Sequence, residues 1–227
     1  KKNKIFNKLI KFLKKNYSTK IDFNLKPEPT CADIDKVKKK YASNKFELIF
    51  AIGGGSIIDA VKAISIALTN PKDIWNYVDL RYRPADKLSN KPLEIIAIPS
   101  TSGTGAEISK NSVLINTDTV EKATIKFDEC YPKYAILIPA LTSTLNRFIT
   151  SFTAFDAFAH CLESYLNVNA NLFSKIYSLE GMKLVFENLL KCLKSPKNLK
   201  LRKNLMFGSV FGGYSLKYAG TTTCHAI

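Results

Sequence analysis

Short apolar runs alternate with longer amphipathic stretches along the chain, and the two periods locate its elements. Glu47-Leu48-Ile49-Phe50-Ala51-Ile52 and Glu94-Ile95-Ile96-Ala97-Ile98-Pro99 are apolar runs of strand length, the pattern of strands buried on both faces of a parallel sheet. Tyr134 to Ile138 predicts a further strand closed by Pro139, and Lys20 to Asn24 a short one. Residues 111–116 and 120–127 alternate on either side of Asn116-Thr117-Asp118 and predict a hairpin. Helical spacing predicts helices over 4–16, over 31–43 with a cap near Thr30, and over 56–68. From about Leu141 the strand signals stop, and 142–167, 171–194 and 199–218 are helical patterns with short polar breaks. The predicted organisation is an α/β domain over 1–141 followed by an all-helical domain over 142–227. Strand, glycine turn, helix in the first part is the arrangement of a Rossmann-like, mononucleotide-binding sheet.

Composition narrows the class. At 46% hydrophobic and 11% aromatic, the chain can bury a core, which excludes a disordered protein. No apolar run reaches membrane-spanning length, and the lysine-rich start lacks the apolar stretch and small-residue cleavage site of a signal peptide. Five cysteines, odd in number and without a CxxC spacing, predict free thiols in a reducing, cytoplasmic compartment. The net charge of +15 raises nucleic acid as a partner. Seven lysines, however, fall in the first fifteen residues, where Ile5, Leu9, Phe12 and Leu13 outline an amphipathic helix with a solvated face. The remainder is spread out and mostly lysine, with no RNP-like or helix-turn-helix pattern, so no nucleic-acid partner is expected. Such a field still draws an anionic cofactor or substrate.

Three segments carry candidate chemistry. Gly53-Gly54-Gly55-Ser56 follows a strand and opens a helix. It is either a tight turn or a place where backbone N–H groups approach a phosphate at the positive helix end. It is neither a P-loop nor a GxGxxG fingerprint. A second loop of hydroxyls and glycines, Ser100-Thr101-Ser102-Gly103-Thr104-Gly105, follows the next buried strand, and paired loops at the carboxyl ends of strands are where an α/β sheet binds a nucleotide. Asp59, in the following helix, could contact a nicotinamide ribose or only favour the helix N-terminus; Lys122 could reach a phosphate or be solvated. Asp156 and His160, four residues apart, fall on one helix face. Phe152, Phe155, Phe158, Leu162, Tyr165 and Leu166 make that helix apolar over most of its circumference and predict that it is buried. A buried carboxylate and imidazole need partners, and Fe(II), Zn(II) or Mn(II) suits both. His225 is the other of the chain's two histidines. Cys161 and Cys224 adjoin the histidines and are read as spectators.

Together these segments resemble a known family. Gly53-Gly54-Gly55-Ser56-Ile57-Ile58-Asp59-Ala60-Val61-Lys62 is similar to the GGGSxxDxxK segment of the iron-containing (group III) alcohol dehydrogenases. Pro99-Ser100-Thr101-Ser102-Gly103-Thr104-Gly105-Ala106-Glu107 resembles their PTTxGTGxE loop, and Asp156-Ala157-Phe158-Ala159-His160-Cys161-Leu162-Glu163 their DAxxHxxE metal helix. The resemblance implies a dehydroquinate synthase-like fold and NAD or NADP in the cleft. It also implies Fe(II) or Zn(II) held by Asp156, His160, His225 and a further histidine beyond this sequence. Gly54, Gly55, Ser56, Asp59, Thr101, Ser102, Thr104, Ser109 and Lys122 match positions near the cofactor. The family's first strand is expected to be missing, so the chain looks like a partial member. Ile138-Pro139-Ala140-Leu141-Thr142 departs from the family's Asp-Pro-Glu-Leu-Thr. The segment around His225 is more similar to phosphonoacetaldehyde reductases, a branch with an anionic substrate. The implied activity is hydride transfer between nicotinamide and a small alcohol or aldehyde, in a homodimer without membrane attachment. Glycerol dehydrogenase- or dehydroquinate synthase-like enzymes, and a non-catalytic nucleotide- or nucleic-acid-binding protein, are the alternatives.

Overall fold

The computed structural model describes residues 4–23 and 25–226. Helices α1 (Lys4–Asn16) and α2 (Cys31–Lys40) precede strand β1 (Leu48–Gly53), helix α3 (Gly55–Ala67) and strand β2 (Glu94–Pro99). The hairpin β3 (Ser112–Asn116) and β4 (Glu121–Ile125) and the short strand β5 (Tyr134–Ala135) follow. β1 and β2 pair in parallel with Leu48 opposite Glu94 and Gly53 opposite Pro99. Because they are in register to their last residues, the two candidate loops leave the sheet side by side. β5 extends the sheet in the order β1-β2-β5.

The βα crossover supplies the core. α3 lays Ile58 and Val61 on Ala51, Ile95 and Ala97 of the sheet. Its opposite face, with Ala63 and Ile66, packs on Ile34, Tyr77, Leu114 and Ile125. A helix covered on both sides has no solvated stripe, which is why its apolar residues are not confined to one face. Thr30 caps α2 as predicted, its side-chain oxygen accepting from the Asp33 N–H at 3.1 Å. The hairpin also forms as predicted, with Asn116 Oδ1 accepting from the Asp118 N–H at 3.0 Å in the turn.

Two strand expectations are corrected. Lys20 to Phe23 form no strand, and Asn24 lies outside the described residues. Asp22 is instead held at the end of α2, its carboxylate 2.7 Å from Lys40 Nζ, so a side-chain contact fastens this segment where a ladder was expected. The strand expected over 134–138 pairs only through Tyr134 and Ala135 before the Ile136 N–H makes a last bond to the Ala97 carbonyl. In α1, Leu13 is buried and Phe12 exposed, so the inward face is rotated from the one expected.

The second half is helical, in α4 (Pro139–Thr142), α5 (Arg147–Leu166), α6 (Leu172–Lys194), α7 (Leu199–Ala219) and α8 (Thr223–Ala226). The helix expected over 142–167 is thus divided between α4 and α5. Asn146 starts α5 by accepting from the Ile149 N–H at 2.8 Å; Asn171 and Asn198 do the same for α6 and α7. Such side-chain acceptors satisfy donors that the first helical turn leaves free.

The expectation that α5 is buried by its large apolar residues is overturned. Phe152, Phe155, Leu162 and Leu166 are exposed, and the buried face consists of Thr150, Ala154, Ala157, His160, Cys161, Glu163 and Ser164. The reason is the closeness of the three long helices. A Cβ on Gly181 would lie 2.5 Å from Cys161 Sγ, and one on Gly212 would lie 3.2 Å from the Ala157 carbonyl oxygen. Backbones this close leave room only for small residues between them, so the aromatic residues turn outward.

The second loop is seated on this helical layer. Gly105 has φ 62°, and a Cβ there would lie 2.8 Å from Gly213 Cα on α7. Gly105→Ala combines a left-handed backbone with a backbone clash, and we expect it to lower stability by about 2 kcal/mol. Equilibrium urea denaturation would check this; an unchanged midpoint would mean that the loop is not clamped at Gly105.

Candidate metal and cofactor site

The site begins on α5, where Asp156 and His160 share a face and Asp156 Oδ1 lies 3.8 Å from His160 Nε2. The third donor arrives by a chain reversal. Gly220, at φ 79°, ends α7 in a backbone conformation that glycine adopts without strain. The chain then runs back along the end of α5. Ser164 Oγ donates to the Gly220 carbonyl at 2.9 Å, and Asn167 Nδ2 to the Thr221 carbonyl at 2.8 Å. The Thr222 N–H and hydroxyl donate to Glu163 Oε2 at 2.7 and 2.9 Å. The single turn of α8 then sets His225 with Nε2 3.3 Å from Asp156 Oδ1 and Nδ1 bonded to Glu163 Oε1. The His160 and His225 rings are 4.4 Å apart.

One donor atom from each of Asp156, His160 and His225 falls within 4.8 Å of the others. Metal–ligand bonds of about 2.1 Å at tetrahedral angles put ligand atoms roughly 3.4 Å apart, close to the 3.3 and 3.8 Å separations from Asp156 Oδ1. One carboxylate oxygen with two imidazole nitrogens suits Fe(II), Zn(II) or Mn(II). Electrostatics agree for His160: burial pushes its pKa down, against the pull of Asp156, and so favours the neutral, ligating form. Burial also pulls His225 down, but the hydrogen bonds to Glu163 and Asp156 outweigh it and leave its pKa raised. Cys161 is buried, which pushes its thiol up to about 12, and Cys224 is exposed; neither joins the donor cluster among the described residues.

The two glycine loops meet beside this cluster. A Cβ on Gly54 would lie 3.2 Å from Thr101 Cγ2, and one on Gly55 2.6 Å from Thr104 Oγ1. The glycines therefore let the loops interlock, a second reason for their lack of side chains. The Ser100 N–H donates to the Gly53 carbonyl at 2.8 Å and fastens the pair. Ser102 is buried within the second loop. A Cβ on Gly103 would lie 2.8 Å from the Thr153 carbonyl oxygen, so this loop abuts α5 one turn before Asp156. The first turn of α3 leaves the Gly55 and Ser56 N–H groups without intrahelical acceptors.

Three further predicted cofactor residues make contacts within the chain. Asp59 accepts from the Val113 N–H at 3.2 Å and lies 3.6 Å from Lys62 Nζ, which ties α3 to β3. Ser109 Oγ accepts from the Asn111 N–H at 3.0 Å. Lys122 is exposed, 3.6 Å from Glu28. Sequence reasoning missed the buried Lys62, which donates to the Asn111 carbonyl at 2.7 Å. Burial pushes Lys62 down and Asp59 and Glu107 up. The parts played by Glu163, Ser164 and Asn167 were also missed, although Glu163 closes the Asp156-to-Glu163 segment already singled out and falls three residues after His160 on the same face of α5.

Residues 1–139 match the iron-containing alcohol dehydrogenase model, and residues 150–227 match the model of the C-terminal part of the Fe-containing alcohol dehydrogenase family. A sulfoacetaldehyde reductase of Bilophila wadsworthia is 32% identical over 200 residues, 88% of this chain and 50% of that protein. The probable alcohol dehydrogenase EutG of Escherichia coli is 28% identical over 88% of this chain and 49% of its own length. The crystal structure of the sulfoacetaldehyde reductase from Bifidobacterium kashiwanohense in complex with NAD+ superposes with a TM-score of 0.89 at 27% identity. It covers 98% of this chain and 59% of that one. The chain spans about half the length of the curated relatives it matches. No described helix is long and apolar enough to cross a membrane. With a parallel sheet carrying paired glycine loops, a helical layer carrying the metal-type donors, and matches along nearly its whole length, the chain belongs to the iron-containing alcohol dehydrogenase family.

Proposed function

We propose that this chain carries the cofactor and metal elements of an NAD(P)-linked alcohol dehydrogenase or aldehyde reductase, organised as an α/β part over 1–141 and a helical part over 142–227. The observation that carries this is the convergence of Asp156, His160 and His225 within 4.8 Å, next to two interlocked loops at the ends of parallel strands.

Asp156, His160 and His225 would hold a divalent cation, iron(II) or zinc(II), which supplies Lewis acidity toward the oxygen of an alcohol or aldehyde. A nicotinamide cofactor supplies or accepts the hydride. The chain's own contribution is positioning. The free N–H groups of Gly55 and Ser56, at the positive end of α3, suit the cofactor's pyrophosphate. The Gly54 backbone and the Thr101 and Thr104 side chains meet at the same junction, and we assign Ser102, buried within that loop, to the same site. Because Gly103 rests on α5, the cofactor loops and the metal ligands keep a constant spacing, which is what a hydride donor and acceptor require. We read the substrate as a small aldehyde or alcohol, with an anionic one favoured by the net charge of +15 and by the similarity to two sulfoacetaldehyde reductases.

Two outcomes test this. Asp156→Ala or His160→Ala in the full-length protein should abolish retention of iron or zinc while leaving NAD affinity within about twofold, since the two sites are built on different elements. Elemental mass spectrometry and calorimetric NAD titration read the two effects. Metal content equal to the parent's would refute the ligand assignment. Gly55→Val should do the reverse, because its side chain would drive Thr104 away: NAD affinity drops at least tenfold, about 1.4 kcal/mol, with metal content preserved. Unchanged NAD affinity would remove the loop pair from the cofactor site.

A further inference from the structure

Glu163 is a buried carboxylate, 5% exposed, on the face of α5 that carries both Asp156 and His160. Its oxygens do not point into the donor cluster. Oε2 accepts from the Thr222 N–H and hydroxyl at 2.7 and 2.9 Å, and Oε1 faces Nδ1 of His225. The return segment is independently fastened at two backbone points, by Ser164 on Gly220 and Asn167 on Thr221. What Glu163 adds to these staples is a carboxylate oxygen at Nδ1 of the His225 ring, whose Nε2 lies 3.3 Å from Asp156 Oδ1.

We propose that Glu163 is a positioning residue that fixes the proton of His225 on Nδ1 and thereby presents Nε2, unprotonated, to the cation. This rests on the metal-site reading above. A neutral imidazole ligates through one nitrogen only if its proton is on the other, and a carboxylate acceptor at that other nitrogen selects the tautomer and holds the ring plane. A carboxylate is required because both of its oxygens accept. In Glu163→Gln one of them becomes an NH2 group. If the amide oxygen stays on Thr222, the NH2 faces Nδ1 of His225 and selects the tautomer with N–H on Nε2, aimed at the cation. If the amide turns over, the NH2 opposes the Thr222 N–H, and the segment carrying His225 loses that bond. Either orientation impairs the third ligand, although the side chain keeps its size.

The test uses full-length protein stripped of metal and titrated with Zn(II) against a chromophoric chelator. Glu163→Gln should weaken Zn(II) affinity by about 10- to 100-fold with the melting temperature of the metal-free protein unchanged. Ser164→Ala, which removes a staple from the same segment but touches no ligand, should weaken Zn(II) affinity by clearly less than Glu163→Gln does. Nitrogen NMR of His225 in the Zn(II)-loaded parent, where the cation occupies the side that Asp156 otherwise faces, should find the proton on Nδ1. A parent with the proton on Nε2 would overturn the inference however the variants behave. So would Glu163→Gln with parental affinity, or an equal loss in both variants accompanied by lower melting temperatures, which would make Glu163 a fastening residue. A parent that binds no Zn(II) would overturn the metal reading itself, and this inference with it.

Discussion

The close backbone approach around the Ser100–Gly105 loop is the constraint on which the rest of the structure depends. Its residues meet the α3 turn through Gly54 and Gly55, α5 through Gly103, and α7 through Gly105. At each point a Cβ would be 3.2 Å or less from a neighbouring heavy atom. Gly103 and Gly105 therefore decide how far this loop lies from the helical layer, and Gly54 and Gly55 how far it lies from the α3 turn. Protein interiors transmit strain because they are close-packed, so displacing this loop would move the cofactor side of the cleft relative to the metal side.

The same economy of volume shapes the helical layer. α5, α6 and α7 approach so closely at Gly181, Gly208 and Gly212 that small side chains fill the space between them. Large apolar residues such as Phe148, Phe155, Phe186 and Leu190 then lie on the outer surfaces. The packed face of α5 is the one that carries His160 and Glu163, with Asp156 at its margin. A single helix thus supplies two donors and, through Glu163, Ser164 and Asn167, the fastening of the segment that brings the third. Holding all three ligands from one rigid element is a way of keeping a site's geometry within narrow limits.

In the α/β part, a buried charge cluster replaces part of the apolar core. Lys62, fully buried, lies between Asp59 and the Asn111 carbonyl, with Glu107 also buried nearby. Buried charges are tolerated only when paired and hydrogen-bonded. Here the pairing joins α3 to the start of β3. The hairpin and the crossover helix are therefore coupled by polar contacts as well as by the apolar cluster around Ile34, Leu114 and Ile125.

Local signals were legible in the residues themselves. The parallel strands, the glycine turn, the capped α2, the hairpin and the three long helices follow from apolar period and capping residues, because these depend on neighbours a few positions away. The Asp156/His160 pair follows from helix geometry alone. Which face of α5 is buried did not, since Phe152, Phe155 and Leu166 satisfy an apolar-helix pattern whether they point inward or outward; only the proximity of α6 and α7 at Gly181 and Gly212 decides it. The use of Asp59 on Val113 and Lys62, the seat of Gly105 on Gly213, and the bond from Glu163 to His225 62 residues later are likewise pairings between distant positions. The sequence by itself determined the elements and the types of donor atom. The tertiary structure decided which of those atoms converge, because convergence depends on how far backbones can approach, and that distance is set jointly by residues that are far apart along the chain.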